Sequence, residues 1–184
     1  MQETRERILT AIADGPVSGP ELAATLDISR AAVWKHVEAL REAGFTVSSG
    51  DDGYALNAVP EFGGPAIEYG LDAPFDVEYH DAIPSTNARA RELAGRGAAD
   101  VVVLADEQTG GRGRLDRSWQ SPSGGIWLSV LFRPTVPMAR TPVFTLAAAI
   151  AVTRAAREAG VGAVIKWPND VLVEVDGEER KLVG

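Results

Sequence analysis

Three segments near the amino terminus place apolar residues at the spacing of an amphipathic helix. Their apolar positions are Ile8, Leu9, Ala11 and Ile12 within residues 3–13, then Leu22, Ala23 and Leu26, and then Val33, Val37 and Leu40 within residues 30–43. Ser18 and Ser29 precede the second and third segments, where a serine hydroxyl can cap a helix. Gly15-Pro16 and Gly44 are expected to end the first and third helices. The pattern therefore predicts three short helices.

Two short runs typical of β-strands follow the third helix. Phe45-Thr46-Val47 and Tyr54-Ala55-Leu56 flank a turn rich in Ser, Gly and Asp at residues 48–53, which predicts a hairpin. Three helices and a hairpin make a winged helix-turn-helix domain, which we assign to residues 1–57. In this fold the third helix enters the major groove of DNA. Its outward residues would be Ser29, Arg30, Ala32, Trp34, Lys35 and His36.

A helical module that docks on another protein is the alternative for residues 1–57. This segment holds five Lys or Arg against nine Asp or Glu. Neutralisation of DNA phosphates would therefore be modest and local. We expect DNA binding, with Ser29, Arg30, Trp34 and Lys35 as the residues that carry it.

The rest of the chain alternates between strand and helix patterns. Residues 58–72 contain proline and glycine without a clear period, which favours a linker. Residues 73–184 then predict an α+β domain built around a mixed sheet. The predicted strands are 75–80, 101–105, 125–132, 162–166, 170–175 and 180–183, and the predicted helices are 86–94 and 141–159.

Composition narrows the class of protein. The chain has a net charge of −8 and no cysteine, which excludes disulfides, thiolate metal sites and cysteine nucleophiles. It has no run of about 18 apolar residues, and its first residues are charged, so we expect neither a membrane span nor a signal peptide. A cytoplasmic location follows as an expectation. The acidic balance argues against nucleic acid as a general partner, and it also suits a salt-adapted cytoplasm.

A loop rich in glycine and arginine follows the apolar run 101–105. Gly110, Gly111 and Gly113 let the backbone approach a ligand closely. The same loop carries three cations, Arg112, Arg114 and Arg117. Guanidinium groups bind phosphate oxygens in pairs, and Trp119 at the end of the loop offers a flat apolar face for a base. A nucleotide-binding loop is thus one interpretation, and a solvated basic loop is the other.

Four motifs in order resemble the biotin–protein ligases. They are Ser85-Thr86-Asn87, Gly111-Arg112-Gly113-Arg114, Lys166-Trp167-Pro168-Asn169-Asp170 and Arg180-Lys181-Leu182-Val183-Gly184. The amino-terminal segment is similar to the DNA-binding domain of the bifunctional members of that family, which repress the biotin operon. The resemblance implies a class II synthetase-like catalytic domain. It also implies a reaction in which biotin and ATP form biotinyl-5′-AMP before biotin passes to a lysine of a carrier domain.

The same resemblance implies roles for single residues. Biotin would contact Ser85, Thr86, Asn87, Gln108, Arg112 and Lys181. ATP and the adenylate would contact Arg112, Arg114, Arg117, Trp119 and Asn169. Lys181 and Arg114 would be catalytic, Asp170 would hold Mg²⁺, and Trp167 and Pro168 would be scaffold. Asp116 departs from family members with more basic or glycine residues there, and it would weaken phosphate attraction locally.

The implied partners are the biotin carboxyl carrier domain of a carboxylase, operator DNA and a second copy of the chain in a ligand-promoted homodimer. Two alternatives stay open. One is a transcription regulator that senses biotin without catalysis, and the other is a lipoate-type acyl ligase. Family members continue past the last motif with a further strand and a small β-barrel. We therefore expect these 184 residues to be a fragment that binds biotin weakly and transfers little of it.

Overall fold

The computed structural model describes residues 3–112 and 118–183. The chain forms two compact units, Met1–Arg133 and Pro134–Gly184. The first unit begins with three helices, α1 (Glu3–Ala13), α2 (Gly19–Leu26) and α3 (Arg30–Glu42). Ser18 Oγ accepts from the Glu21 amide at 3.3 Å, and Ser29 Oγ accepts from the Ala32 amide at 3.1 Å. The three predicted helices and both predicted serine caps are confirmed.

The amino-terminal helices enclose one hydrophobic core. Each helix contributes the side chains that lie three or four residues apart on one face, as the sequence pattern predicts. Phe45 and Val47 close the core from the chain that follows α3. The buried members are Ile8, Leu9, Ile12, Leu22, Leu26, Val33, Val37, Leu40, Phe45 and Val47. This core is local in sequence, because all its buried members lie within the first 47 residues.

The wing is an antiparallel hairpin of β1 (Thr46–Gly50) and β2 (Gly53–Ala58). The prediction of a turn over residues 48–53 is too long, because Ser48 and Ser49 pair with Ala55 and Tyr54. Only Asp51 and Asp52 form the turn. Backbone pairing outweighs the turn preference of the serines, since each paired residue satisfies its amide and carbonyl groups in the ladder. The wing is longer than the sequence pattern indicates.

A short helix, α4 (Gly64–Gly70), lies within the stretch that the sequence pattern assigns to a linker without regular structure. Seven residues are too few to show a helical period, and tertiary packing supports the helix instead. The Tyr69 ring meets Phe45 edge-on at 5.8 Å between centroids, and Phe62 meets Tyr79 in the same way at 5.9 Å. The expectation of no regular element here is wrong, while the domain boundary itself stays a prediction.

A mixed three-stranded sheet completes the first unit. Strands β3 (Asp76–Ile83) and β4 (Val101–Gln108) are parallel, and β5 (Trp127–Leu131) pairs antiparallel with β4. Helix α5 (Thr86–Gly95) connects β3 to β4, as parallel strands require. It covers one face of the sheet with Ala90 and Leu93, which pack on Val101, Val103 and Leu131. The β3–α5–β4 unit therefore brings the start of α5 to the carboxyl ends of both parallel strands.

The second unit is a helix on an antiparallel sheet. Helix α6 (Pro142–Glu158) follows a short 3₁₀ turn at Met138–Arg140. The strands β6 (Val164–Lys166), β7 (Asp170–Val175) and β8 (Glu178–Val183) pair in sequence order. Ala149, Ala163 and Val171 form the small core. The predicted α+β fold class is confirmed, and no helix in the described part of the chain is long and apolar enough to cross a membrane.

Two glycines of the wing, Gly53 and Gly50, give a matched test of how the wing packs against the segment before α2. Gly53 has a φ of +118°, and a Cβ added there would overlap the Val17 carbonyl. Gly53→Ala should lower the free energy of unfolding by roughly 1–3 kcal/mol, because strain and overlap arise together. Gly50→Ala, with nothing within 4 Å of the added Cβ, should stay within about 0.5 kcal/mol of the parent. Urea unfolding followed by far-ultraviolet circular dichroism measures the stability of both variants. Equal losses of stability would contradict the close contact between Gly53 and Val17.

Candidate functional site

A cluster of neutral polar side chains lies where β3 and β4 end and α5 begins. Gln108 Oε1 accepts from the Thr86 amide at 2.9 Å and from the Thr86 hydroxyl at 3.1 Å. Gln108 Nε2 donates to Ser121 Oγ at 3.2 Å, and the Thr86 and Ser129 hydroxyls are 3.0 Å apart. Thr86 and Ser121 are buried. We name Thr86, Gln108, Ser121 and Ser129 the amide cluster.

Backbone pairing fixes the amide cluster. Ile83 is the register partner of Gln108, and the chain continues this pairing where the Thr109 amide donates to the Ile83 carbonyl at 3.0 Å. The Gly110 amide donates to the Pro84 carbonyl at 2.9 Å. The Gln108 amide donates to the Ser121 carbonyl at 2.9 Å. The cluster thus offers uncharged donors and acceptors at set positions, which suits a neutral polar ligand such as a urea or amide.

The residues that the sequence predicts for this ligand lie in different environments. It brings Thr86 and Gln108 into direct contact. Ser85 uses its hydroxyl to cap α5, accepting from the Ala88 amide at 3.3 Å. Asn87 is exposed on the helix. Which of these side chains touches a ligand stays a prediction.

Sequence reasoning missed two members of the amide cluster. Ser129 is a polar residue within the apolar run of β5, on the face that α5 covers, and this position is its only signal in the sequence. Ser121 carries no comparable signal, because it reaches Gln108 through the isolated pairing of residues 108 and 121. That pairing closes a loop, and a one-dimensional pattern does not show which residues meet across it.

The neck of the glycine- and arginine-rich loop is closed by backbone contacts. The Trp119 amide donates to the Gly111 carbonyl at 2.9 Å, and the backbones of Arg112 and Ser118 form an isolated antiparallel β-bridge. A Cβ added at Gly111 would lie 2.5 Å from the Trp119 carbonyl oxygen, so a side chain does not fit there. The Trp119 side chain is 52% exposed, which leaves its ring open to a ligand. The predicted contacts at Arg114 and Arg117, like the departure at Asp116, lie outside the described residues.

The second unit contains an ion pair between two predicted site residues. Lys181 Nζ is 3.0 Å from Asp170 Oδ1, and both side chains are partly exposed. Strands β7 and β8 place them there, since Lys181 pairs in register with Leu172 near the start of β7. Asn169 is half-buried beside Asp170, and Trp167 is 82% exposed. The ion pair fixes the position of the Lys181 ammonium group, which stays partly exposed to solvent.

At the position that the sequence predicts for magnesium, the candidate ligand is the carboxylate of Asp170. Within residues 3–112 and 118–183, no group of three His, Cys, Asp or Glu side chains could hold a metal. Mg²⁺ differs from most metals in that one or two carboxylates, water and substrate phosphates are enough. Asp170 fits as the single protein ligand of such an ion, and Lys181 lies on one of its two oxygens.

A charged cluster fixes the first turns of α5 to β3. Arg89 Nε and Nη2 donate to the two oxygens of Glu78 at 2.6 and 3.0 Å, and His80 Nε2 lies 2.8 Å from Glu78 Oε1. Arg89 also pairs with Glu92 at 2.9 Å. The Arg89 hydrogen bonds, with a smaller contribution from His80, lower the pKa of Glu78 from 4.5 to about 2, although partial burial opposes this. Arg89 is one turn after Thr86, so the cluster positions the helix that carries Thr86.

Helix α3 presents the residues that the sequence predicts for DNA. Arg30 and Lys35 are exposed, and within the described residues neither forms an ion pair. The Trp34 side chain is 55% exposed, which is unusual for so large an apolar group. Ser29 serves as the helix cap, and His36 is half-buried. Arg30 and Trp34, four residues apart, share one side of α3, and the exposed Lys35 follows Trp34 about 140° around the helix from Arg30.

Two families match the chain. Residues 80–184 match the biotin/lipoate A/B protein ligase family, and residues 4–60 match a helix-turn-helix domain. The bifunctional ligase/repressor BirA of Bacillus subtilis is 42% identical over 176 residues, which are 91% of this chain and 53% of the relative. The protein of the same description from Escherichia coli is 32% identical over 185 residues, which are 97% and 56% of the two chains. The chain thus spans about half the length of these curated relatives.

Among solved structures, the biotin protein ligase from Aquifex aeolicus in complex with biotin and ATP is similar. Its TM-score is 0.46 at 32% identity, and the match covers 52% of this chain and 40% of that one. The ligase from Leishmania major in complex with biotinyl-5-AMP has a TM-score of 0.44 at 26% identity, covering 58% and 50%.

Acid should weaken the hold of α5 on β3. Because the folded pKa of Glu78 lies below its ordinary value, its ionised form stabilises the fold fully above pH 4.5, and this contribution is lost as the pH falls towards about 2. Glu78→Gln should therefore be less stable than the parent near neutral pH, and the difference should shrink across that window. Unfolding by urea at a series of pH values measures it. Asp72→Asn, at an exposed carboxylate, is the control, and a difference that does not vary with pH would contradict the prediction.

Proposed function

The chain belongs to the biotin/lipoate A/B protein ligase family, and from that membership we propose that it acts as a biotin–protein ligase that also represses transcription. The observation that carries the proposal is the combination of a ligase match at residues 80–184 with a helix-turn-helix match at residues 4–60 in one chain. The relatives described as bifunctional ligase/repressor align through both parts. The proposed activity is that of relatives of which this chain spans about half.

The amide cluster supports biotin as the ligand of the first unit. A ureido group has one carbonyl acceptor and two N–H donors and carries no charge. Gln108, Thr86 and Ser129 supply neutral partners of both kinds within one hydrogen-bonded set. We propose that they hold the ureido ring, with Ser121 fixing the Gln108 amide and Ser85 and Asn87 at the rim.

The charges of the site suit adenylation. In the proposed first step a biotin carboxylate oxygen bonds to the α-phosphorus of ATP, the bond to the bridging oxygen breaks, and pyrophosphate leaves. Two anions must approach, so fixed cations lower the barrier. Arg112, Arg114 and Arg117 would serve the phosphates and the mixed anhydride, with Arg114 retaining the intermediate. Trp119 and Asn169 would serve the adenine, as the motif resemblance implies.

Lys181 would stabilise charge on the reacting carboxylate and α-phosphate. Its ion pair with Asp170 supports this role, because it holds the ammonium group in place before the substrates bind. Asp170 would also hold Mg²⁺, which supplies positive charge to the nucleotide phosphates when bound. In the second step the amine of an acceptor lysine bonds to the acyl carbon, AMP leaves, and the amine gives up a proton.

The partners would be the biotin carboxyl carrier domain of a carboxylase and operator DNA, and we propose that the protein meets both in the cytoplasm. A homodimer promoted by the adenylate would place two α3 helices on two half-sites. The family description includes lipoate ligases, so a lipoate-type ligase remains the second candidate. A regulator that senses biotin without catalysis is the third.

Calorimetry separates these candidates. Biotin and lipoate are titrated into the chain, each with and without ATP and Mg²⁺. Binding of biotin that lipoate does not displace, together with release of pyrophosphate, supports the proposal. Preference for lipoate would favour the second candidate, and biotin binding without pyrophosphate release would favour the sensor.

The hydroxyl of Thr86 gives a test of the amide cluster. Thr86→Val keeps the shape but removes a donor to Gln108 and a partner of Ser129, so biotin affinity should fall by about 1–3 kcal/mol. Thr86→Ser keeps the hydroxyl and should stay close to the parent. Calorimetric titration with biotin measures both variants. Equal affinities of the Val and Ser variants would exclude the hydroxyl from the ligand site.

Lys181 gives a test of the adenylation chemistry. Lys181→Met should lower the rate of biotin-dependent pyrophosphate release far more than it weakens ATP binding, because its interaction grows in the transition state. Arg154→Met removes an exposed cation from helix α6 of the same unit, outside the motifs, and controls for lost charge. A rate unchanged at saturating biotin and ATP would reject the role of Lys181.

A further inference from the structure

The wing beside α3 is held in one position by contacts at its base. Arg41 on α3 donates to the Val47 carbonyl through Nε at 2.9 Å and through Nη2 at 2.8 Å, and Nη2 also donates to Ser49 Oγ at 2.7 Å. On the other strand, the Val17 and Tyr54 amides and carbonyls exchange two hydrogen bonds of 2.9 Å. The wing is therefore tied both to α3 and to the segment before α2.

The wing carries no cation that could contact a phosphate. The sequence has no Lys or Arg between Arg41 and Arg89. Arg41 itself is occupied, because its guanidinium group also bonds Glu38 at 2.6 Å. The turn at the tip consists of Asp51 and Asp52, and both are exposed. Two carboxylates at the end of a fixed hairpin would be repelled by the DNA backbone.

Two exposed cations of this region, Arg30 and Lys35, lie on α3, and a third, Arg7, lies on α1. Arg30 and Lys35 are about one turn and a half apart on a helix, with the exposed Trp34 next to Lys35. Helix α1 carries Arg5 and Arg7, but Glu3 and Glu6 stand among them. Among the cations of residues 1–57, Arg30 and Lys35 are the two with no acidic residue directly beside them in the sequence, so attraction to a phosphate backbone is strongest along α3.

We propose that α3 alone supplies the contacts of this domain with duplex DNA, and that the wing stands clear of the phosphates. The inference rests on the proposed repressor function and specifies how its DNA surface works. Two cations release the counterions of about two phosphates, at about 0.9 per phosphate in the logarithmic salt slope. The dependence of DNA affinity on salt is then shallow, with a slope of about −2.

The salt slope tests the proposal directly. The full chain is titrated against a fluorescein-labelled duplex of mixed sequence, about 25 base pairs long, from about 0.05 to 0.4 M KCl, and fluorescence anisotropy gives the affinity. The parent should lose roughly tenfold to twentyfold for each fourfold rise in salt. Lys35→Ala should reduce the slope by about 1, whereas Trp34→Ala should weaken binding without changing the slope.

Charge reversal at the tip tests the position of the wing. Asp51→Lys/Asp52→Lys should leave the slope equal to that of Glu61→Lys/Asp72→Lys, a matched pair outside the wing, since each double variant takes the net charge from −8 to −4. Asp51→Asn/Asp52→Asn, which keeps turn-forming side chains, should bind as the parent does. A slope steeper by about 1 or more in the wing variant alone would show that the tip reaches phosphates, and would overturn the proposal.

The salt slope of the parent distinguishes failure of this inference from failure of the proposed repressor function. A parent slope steeper than about −4 would also overturn the inference, because more cations than Arg30 and Lys35 would then be engaged, while DNA binding itself would stand. Absence of binding at the lowest salt would remove the repressor function and this inference together.

Discussion

The register between β3 and β4 is the constraint on which the amide cluster depends. Parallel pairing sets Ile83 opposite Gln108, and the backbone bonds from residues 109 and 110 to residues 83 and 84 extend that pairing into the loop. The short connection from Ile83 then delivers Thr86 to the Gln108 amide at the start of α5. A slip of one residue between these strands would place Gln108 and Thr86 on different faces of the sheet and break their contact.

Elements that depend on local chemistry were predictable from the sequence. Serine caps mark the starts of α2 and α3, and Gly15 and Gly44 follow the ends of α1 and α3, because these signals lie within a few residues of the helix ends. Helix α4 and the short turn of the wing were not predictable, since the contacts of Tyr69 with Phe45 and of Ser48 with Ala55 join separate segments. Local patterns do not contain such pairings.

The residues of the candidate site also fall into those that were predictable from the sequence and those that were not. Thr86, Gln108, Asp170 and Lys181 were identified through motifs, and the structure places them in two hydrogen-bonded or ion-paired sets in separate units. Ser121 and Ser129 were missed, because their importance comes from the loop and the strand that return to Gln108 and Thr86. The charged set around Glu78 was also missed, since it joins a strand to a helix 11 residues later in the chain. Motifs point to candidate ligand contacts, whereas the side chains that support those candidates are found only in the fold.

The edge-on contact of Tyr69 with Phe45 changes where the amino-terminal module can be cut. Phe45 is 2% exposed, and Tyr69 packs on the same core although it lies beyond the wing. A piece ending at Asn57 would uncover one side of that phenylalanine and present an aromatic edge to solvent. An excised module that ends after Gly70 would keep Tyr69 on this core, so we expect it to be more stable than one that ends at Asn57.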